Sequence, residues 1–245
     1  MTAFAKLSWV EMKLFLREPM TVLFACALPL TVLFVLGGVF GNQADADIYR
    51  GVGAMDYYIP AYVAFVAASV GLISIPAHIA SDRERGVLKR YHASGVSPWS
   101  LVGSQVAVMF AIATISAIIL VAAAAPVYEV SAPDSVPMII LGFILVTLSF
   151  AGLGVLLGAV MPSSRSAQAL GVLLWFVLLM VGGGGPPPEV LTGTMSTIGD
   201  LTPLRHAIHV MQDGWLSLDP GGSWWVVAAV TLLCGLAAVR FFRWE

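Results

Sequence analysis

The feature that most constrains this chain is where its charges are missing. Across six stretches, about 20–40, 58–80, 101–125, 137–161, 166–183 and 223–241, no Asp, Glu, Lys or Arg occurs until Arg240, in the last turn of the sixth. A helix needs about 20 mostly apolar residues to cross the hydrocarbon of a bilayer. Backbone polar groups in lipid must be satisfied internally, which selects helices for such runs. The whole chain is 59% hydrophobic and 11% charged, against roughly 25% charged in soluble domains. That is too little polar surface to cover a water-soluble globule. The expected fold is an all-α integral membrane protein, a single domain over residues 1–245 with six transmembrane helices.

Prolines punctuate the spans. Pro19 and Pro137 stand at helix starts, where a missing N–H does no harm. Pro29 falls inside the first span and is expected to kink it, and Pro76 to loosen the end of the second. Orientation follows from the basic residues. With a cytoplasmic N-terminus, Lys6, Lys13, Arg17, Arg83, Arg85, Lys89, Arg90, Arg165, Arg240 and Arg243 fall inside, ten of the twelve, leaving Arg50 and Arg205 outside. Most acids fall on the outer side, so both termini are expected in the cytoplasm of a multi-pass protein of the cell inner (plasma) membrane. The first residues show no cleavable signal pattern. Cys26 and Cys234 lie within apolar runs and give no disulfide framework.

Three segments outside the spans carry information. Residues 4–18 read as an interfacial helix: Lys6, Lys13 and Arg17 share a stripe, while Phe4, Leu7, Leu14 and Phe15 gather on another side that Glu11 and Glu18 interrupt. Trp9 suits the headgroup level. Residues 81–100, SDRERGVLKRYHASGVSPWS, hold six of the chain's twenty-six charges. A cytoplasmic loop should be basic, but here Asp82 and Glu84 interleave with the bases, and Val87, Leu88 and Tyr91 sit among them, which suits a docking surface. Residues 184–222 follow GGGGPPP, which ends the fifth span, and read either as an ordinary outer loop or as short helices dipping back toward the bilayer. His206 and His209 lack a third ligand in register and read as structural. His78 reads as a helix-end polar group. Gly154 with Gly158, and Gly37 with Gly41, have close-approach spacing, for packing within the chain or for a dimer seam.

Three of these stretches resemble the membrane-spanning permease subunits of ABC-2 type exporters, which move drugs, antibiotics, polysaccharides or lipids. LFLREPMTVLFACALPLTVLFVLGGVFG resembles the family's interfacial helix and its step into the first span. SDRERGVLKRYHASGVSPWSLVGSQV is similar to the family's Glu, Arg and Gly followed by a basic-apolar stretch and Pro. GGGGPPPEVLTGTMSTIGDLTPLRHAIHVMQDGW resembles its outer segment after the fifth span. The resemblance implies a cytoplasmic coupling helix within 81–100, a re-entrant segment within 184–222, a nucleotide-binding ATPase subunit as partner, and a second permease copy or a paralogue. It implies that Asp82, Arg83, Glu84, Arg85, Gly86, Lys89 and Arg90 contact the ATPase, supported by Lys13, Arg17 and Glu18. ATP and Mg would be bound by that partner, and this chain would bind no cofactor or metal and carry no catalytic residue.

The residues agree on independent grounds: no Gly-x-x-x-x-Gly-Lys-Ser/Thr loop is present to cradle phosphates. An ion-coupled secondary carrier is the alternative, but the spans carry no mid-depth ionisable group for coupling. An intramembrane enzyme would need a nucleophile and base at one depth, and Ser69, Ser74, Ser116 and Ser149 have no histidine at theirs. Nothing points to a nucleic-acid partner. A pathway lined by apolar residues of the first, second and fifth spans, with Phe65, Trp175 and Phe176 as candidates, would suit a hydrophobic drug or a lipid.

Overall fold

A computed structural model describes residues 3–95 and 98–241. Val96 and Ser97, within the expected break before the third span, and Arg243 lie outside the described residues, as do the side chains of Phe4, Lys6, Tyr91 and Arg240. The regular elements among the described residues are helices, with one isolated antiparallel bridge between Ala44 and Gly53. In chain order they are α1 (Ala3–Arg17), α2 (19–40), α3 (Ala54–Glu84), α4 (Val87–Ala93), α5 (Pro98–Tyr128), α6 (Val136–Val160), α7 (Ser164–Val181), α8 (Gly193–Asp200), α9 (Pro203–Trp215) and α10 (Ser223–Phe241). Five of them, α2, α3, α5, α6 and α7, contain stretches long and apolar enough to cross a membrane, and Ser223–Ala238 of α10 is a shorter apolar helix.

Two prolines explain the irregularities. Pro29 cannot donate to the carbonyl of Ala25, and Pro76 cannot donate to that of Leu72. In both helices the preceding turn is of π type, Leu23–Ala27 and Val70–Ser74. The wider turn absorbs the missing hydrogen bond without ending the helix. The second span therefore continues through Pro76 to Glu84 and takes in the first residues of the polar segment.

Helix α3 is the centre of the molecule. Its apolar stretch is wholly buried within the chain, as expected for a helix that is apolar all round. Helices α6 and α7 flank its C-terminal half, α2 and α5 its N-terminal half, and α9 lies against it, α6 and α10. Close approach is permitted by glycine. A Cβ on Gly154 would collide with the Gly71 carbonyl oxygen, one on Gly158 would lie 2.8 Å from Ile79 Cβ, and one on Gly171 would meet the Leu72 carbonyl. The paired glycines of α6 therefore seat it on α3 within one chain.

An aromatic column runs along α3. Tyr49, Tyr57, Tyr58, Tyr62 and Phe65 pack ring against ring, and Phe65 meets Trp175 of α7 at 4.9 Å. The hydroxyls solve the problem posed by the GGGGPPP turn, whose backbone cannot be helical. Tyr58 donates to the Gly185 carbonyl and Tyr62 to that of Gly184, both at 2.8 Å. At this distal end, opposite α1, Arg205 is buried and donates to Val181 O at the end of α7 and to Asp200 in α8, each at 2.8 Å. Arg50 reaches Glu189 and His209. His206 contacts Ser223 Oγ and the Asp200 carbonyl. The two histidines thus have neighbours that fix loops and helix ends.

Candidate functional site

The charged segment at the end of α3 is built from the last turn of that helix, a sharp turn and a short helix. The N–H of Arg85 donates to Ser81 O and that of Gly86 to Arg83 O, closing α3. Gly86 then adopts φ +66°, a conformation that favours a residue without Cβ. Helix α4 follows, held down by Leu88, which is 1% exposed.

The side chains here divide by direction. Arg83 turns inward: its guanidinium donates to Gly158 O at 3.1 Å and Ala159 O at 3.0 Å, and also to Met161 O. These carbonyls at the C-terminal end of α6 lack helical partners, and a cation is favoured at the negative end of the helix dipole. Asp82 is also inward, 5% exposed, with Arg85 at 3.6 Å. Glu84 is exposed yet anchored, accepting from Ser164 Oγ at 2.8 Å in the first turn of α7. That turn has its own capping box, formed by Ser163 and Ser166. Arg85, Lys89 and Arg90 are exposed, and Arg90 donates to the Arg85 carbonyl. One rigid step therefore ties the end of α3 to both α6 and α7 and presents a basic rim outward.

Helix α1 completes this end. It packs on α5, with Phe15 buried and stacked on His78 of α3 at 4.1 Å. Trp9, Val10 and Leu14 are exposed, and Lys13 lies 5.0 Å from the Trp9 ring. Lys13 and Arg17 are also exposed. Glu18 has a carboxylate oxygen 3.5 Å from His78 Nε2. Those atoms form an ion pair only if the imidazole is protonated; no well-aligned hydrogen bond joins them.

Glu11 is the residue that sequence reasoning passed over. It is 1% exposed, and its Oε2 has no hydrogen-bond partner. Burial, then the negative charge of Asp82, pushes its carboxyl up to about 7, with Arg85 opposing. The available signal was the interruption of the apolar stripe of α1: an acid on that face either breaks the stripe or docks against other polar groups. Arg83 was among the expected contact residues, but its partners on α6 were not foreseeable from spacing.

The expected pathway residues occupy different environments. Phe65 and Trp175 are 1% and 5% exposed, and Trp175 Nε1 donates to Ser69 Oγ at 2.7 Å. Phe176, one residue on, is 54% exposed. Among the described residues no group of three or more His, Cys, Asp or Glu is placed to hold a metal ion.

The family model described as ABC-2 type transporter matches residues 2–216, from α1 through α9. No curated protein matches the chain.

Proposed function

Since the chain belongs to the ABC-2 type transporter family, we propose that it is the membrane-spanning permease subunit of an ATP-driven exporter, with hydrolysis on a separate nucleotide-binding subunit. In this reading α10 is the sixth span, both termini are cytoplasmic, and the segment containing α8 and α9 is the outer re-entrant element. The chain sits in the cell inner membrane and pairs with a second copy or a paralogue. ATP and Mg belong to the partner subunit.

The observation that carries the proposal is the rigid charged step after α3. A push on α4 would be delivered to the central helix, and through Arg83 and Glu84 to α6 and α7. Arg85, Lys89 and Arg90 form the outward surface for the ATPase, flanked by Lys13, Arg17 and Glu18, while Asp82, Arg83 and Gly86 shape the step beneath it. The substrate is a hydrophobic drug-like molecule or a lipid, moved outward between two permeases. Phe176, being exposed, would face such a pathway directly; Phe65 and Trp175, being buried, would reach it only through rearrangement of α3 and α7.

The test is co-purification from native membranes. The intact chain should carry an ATPase subunit, and a Lys89→Glu, Arg90→Glu reversal should release it while the chain remains folded. Retention of the ATPase by the reversed chain would refute the docking surface. Absence of any ATPase with the intact chain in several mild detergents would refute the exporter.

A further inference from the structure

Two cavities meet at Trp215, at the distal end of the molecule. The larger, about 610 Å3, lies between α5 and α6 and is lined by residues such as Phe110, Ile118, Ile140 and Phe143, with Val63 of α3. Thr114 supplies its lone hydroxyl, which is spent on the Phe110 carbonyl at 2.7 Å. The volume falls within the range of pockets for small organic ligands. The smaller, about 330 Å3, is lined by Asp56, Ser131 and Asp134. Trp215 lines both, and Ala132, Pro133 and Asp134 run along their common edge. Val63 and Asp56 lie seven residues apart on α3, two helical turns, or about 10 Å along the axis.

The acidic cavity is uncompensated. The ion pairs among the described residues include neither Asp56 nor Asp134. Both arginines of this end are engaged elsewhere, Arg50 with Glu189 and Arg205 with Asp200. Asp56 accepts from the Ser131 N–H at 2.8 Å and from Asn42 Nδ2 at 3.1 Å, one bond to each oxygen. A carboxylate can accept about four, so the group is oriented and not saturated. Trp215, 6% exposed, is the side chain common to the walls of both cavities.

We propose that the joined cavities bind an amphiphilic amine, with its apolar body between α5 and α6 and its protonated nitrogen between Asp56 and Asp134. A neutral acyl chain would fill the larger cavity but make no use of the carboxylates. A second copy of the chain has its exposed bases Lys13, Arg17, Arg85, Lys89 and Arg90 at the other end, and Arg50, exposed at this end, is paired with Glu189. The site goes beyond the exporter reading and requires no ATPase.

The test uses the full chain alone in phosphatidylcholine nanodiscs, with empty nanodiscs to subtract partitioning. The probes are a ten-carbon alkylamine carrying a dansyl group at its far end and the matching alcohol. The amine should bind about tenfold more tightly than the alcohol. Asp56→Asn and the exposed-site variant Asp134→Asn should each remove most of that preference without changing alcohol binding. Ile140→Trp should weaken both probes by filling the apolar cavity. Equal affinities, or amine binding unchanged in both aspartate variants, would overturn the site. So would cross-linking of two copies through Ile144→Cys in a chain with Cys26 and Cys234 replaced by serine, since the groove would then be covered by protein. Because no ATPase enters the measurement, failure of the exporter reading would leave this result standing.

Discussion

Replacing Arg83 by methionine isolates the joint between α3 and α6. The guanidinium satisfies the carbonyls of Gly158, Ala159 and Met161 at a helix end. A hydrogen bond involving a charged group contributes about 1.5–3 kcal/mol, and an orphaned buried carbonyl costs a similar amount. Arg83 is only half-buried, so water reaches part of the vacated site and the full sum does not apply. A net loss of about 3 kcal/mol is expected. Arg83→Lys retains charge but not the planar fork, and should recover about 1 kcal/mol of it. Stability can be read by SDS titration in mixed micelles, following labelling of Cys26 and Cys234, which are free and partly buried in the fold. Arg83→Met should also leave the exposed rim intact, so ATPase binding should persist while transport falls. A stability loss below about 0.5 kcal/mol would refute the capping argument, because that is the range of an ordinary surface substitution.

Other expectations concern separate parts of the molecule. The raised Glu11 carboxyl, about 7 against 4.5 unfolded, binds more protons folded than unfolded, so its contribution is fully present below pH 4.5 and is lost as pH rises toward 7. Glu11→Gln should remove a pH-dependent loss of order 3 kcal/mol across that window; identical stability profiles for the two proteins would rule this out. Gly154→Leu should cost at least about 2 kcal/mol by pushing α6 off α3, whereas Gly38→Ala, with open space at the new Cβ, should be neutral or stabilising in the same titration. Tyr62→Phe leaves the Gly184 carbonyl without its donor and should cost about 1–2 kcal/mol; no change would mean that another donor serves that turn.

Five of the six expected spans were legible because a missing charge is a strong signal in a helix surrounded by lipid. Their arrangement was not. In a bilayer, residues facing a neighbouring helix and residues facing lipid are both apolar, so periodicity cannot tell buried α3 from partly exposed α5. The π turns were half legible: Pro29 and Pro76 marked where a hydrogen bond is missing, but not whether the helix would kink, end or widen. The concentration of charge after α3 located the rim. The division between inward Arg83 and outward Arg85 depends on where α6 ends, which lies some seventy-five residues later in the chain. Glu11 was visible only as a defect in a stripe. The acidic cavity needed Asp56 and Ser131 side by side, also seventy-five residues apart, a contact no local pattern encodes.

The tyrosine column has a consequence for how the protein is made. Tyr62 and its acceptor, Gly184, are separated by 122 residues. At ribosomal rates of about 5–20 residues per second, the hydroxyl enters the membrane about 6–24 seconds before its partner exists. Arg83 waits in the same way for the end of α6. The first half of the chain is therefore born into the bilayer with polar groups awaiting the second, and a nascent chain stopped before Gly184 should be held by the insertion machinery or removed by quality-control proteases.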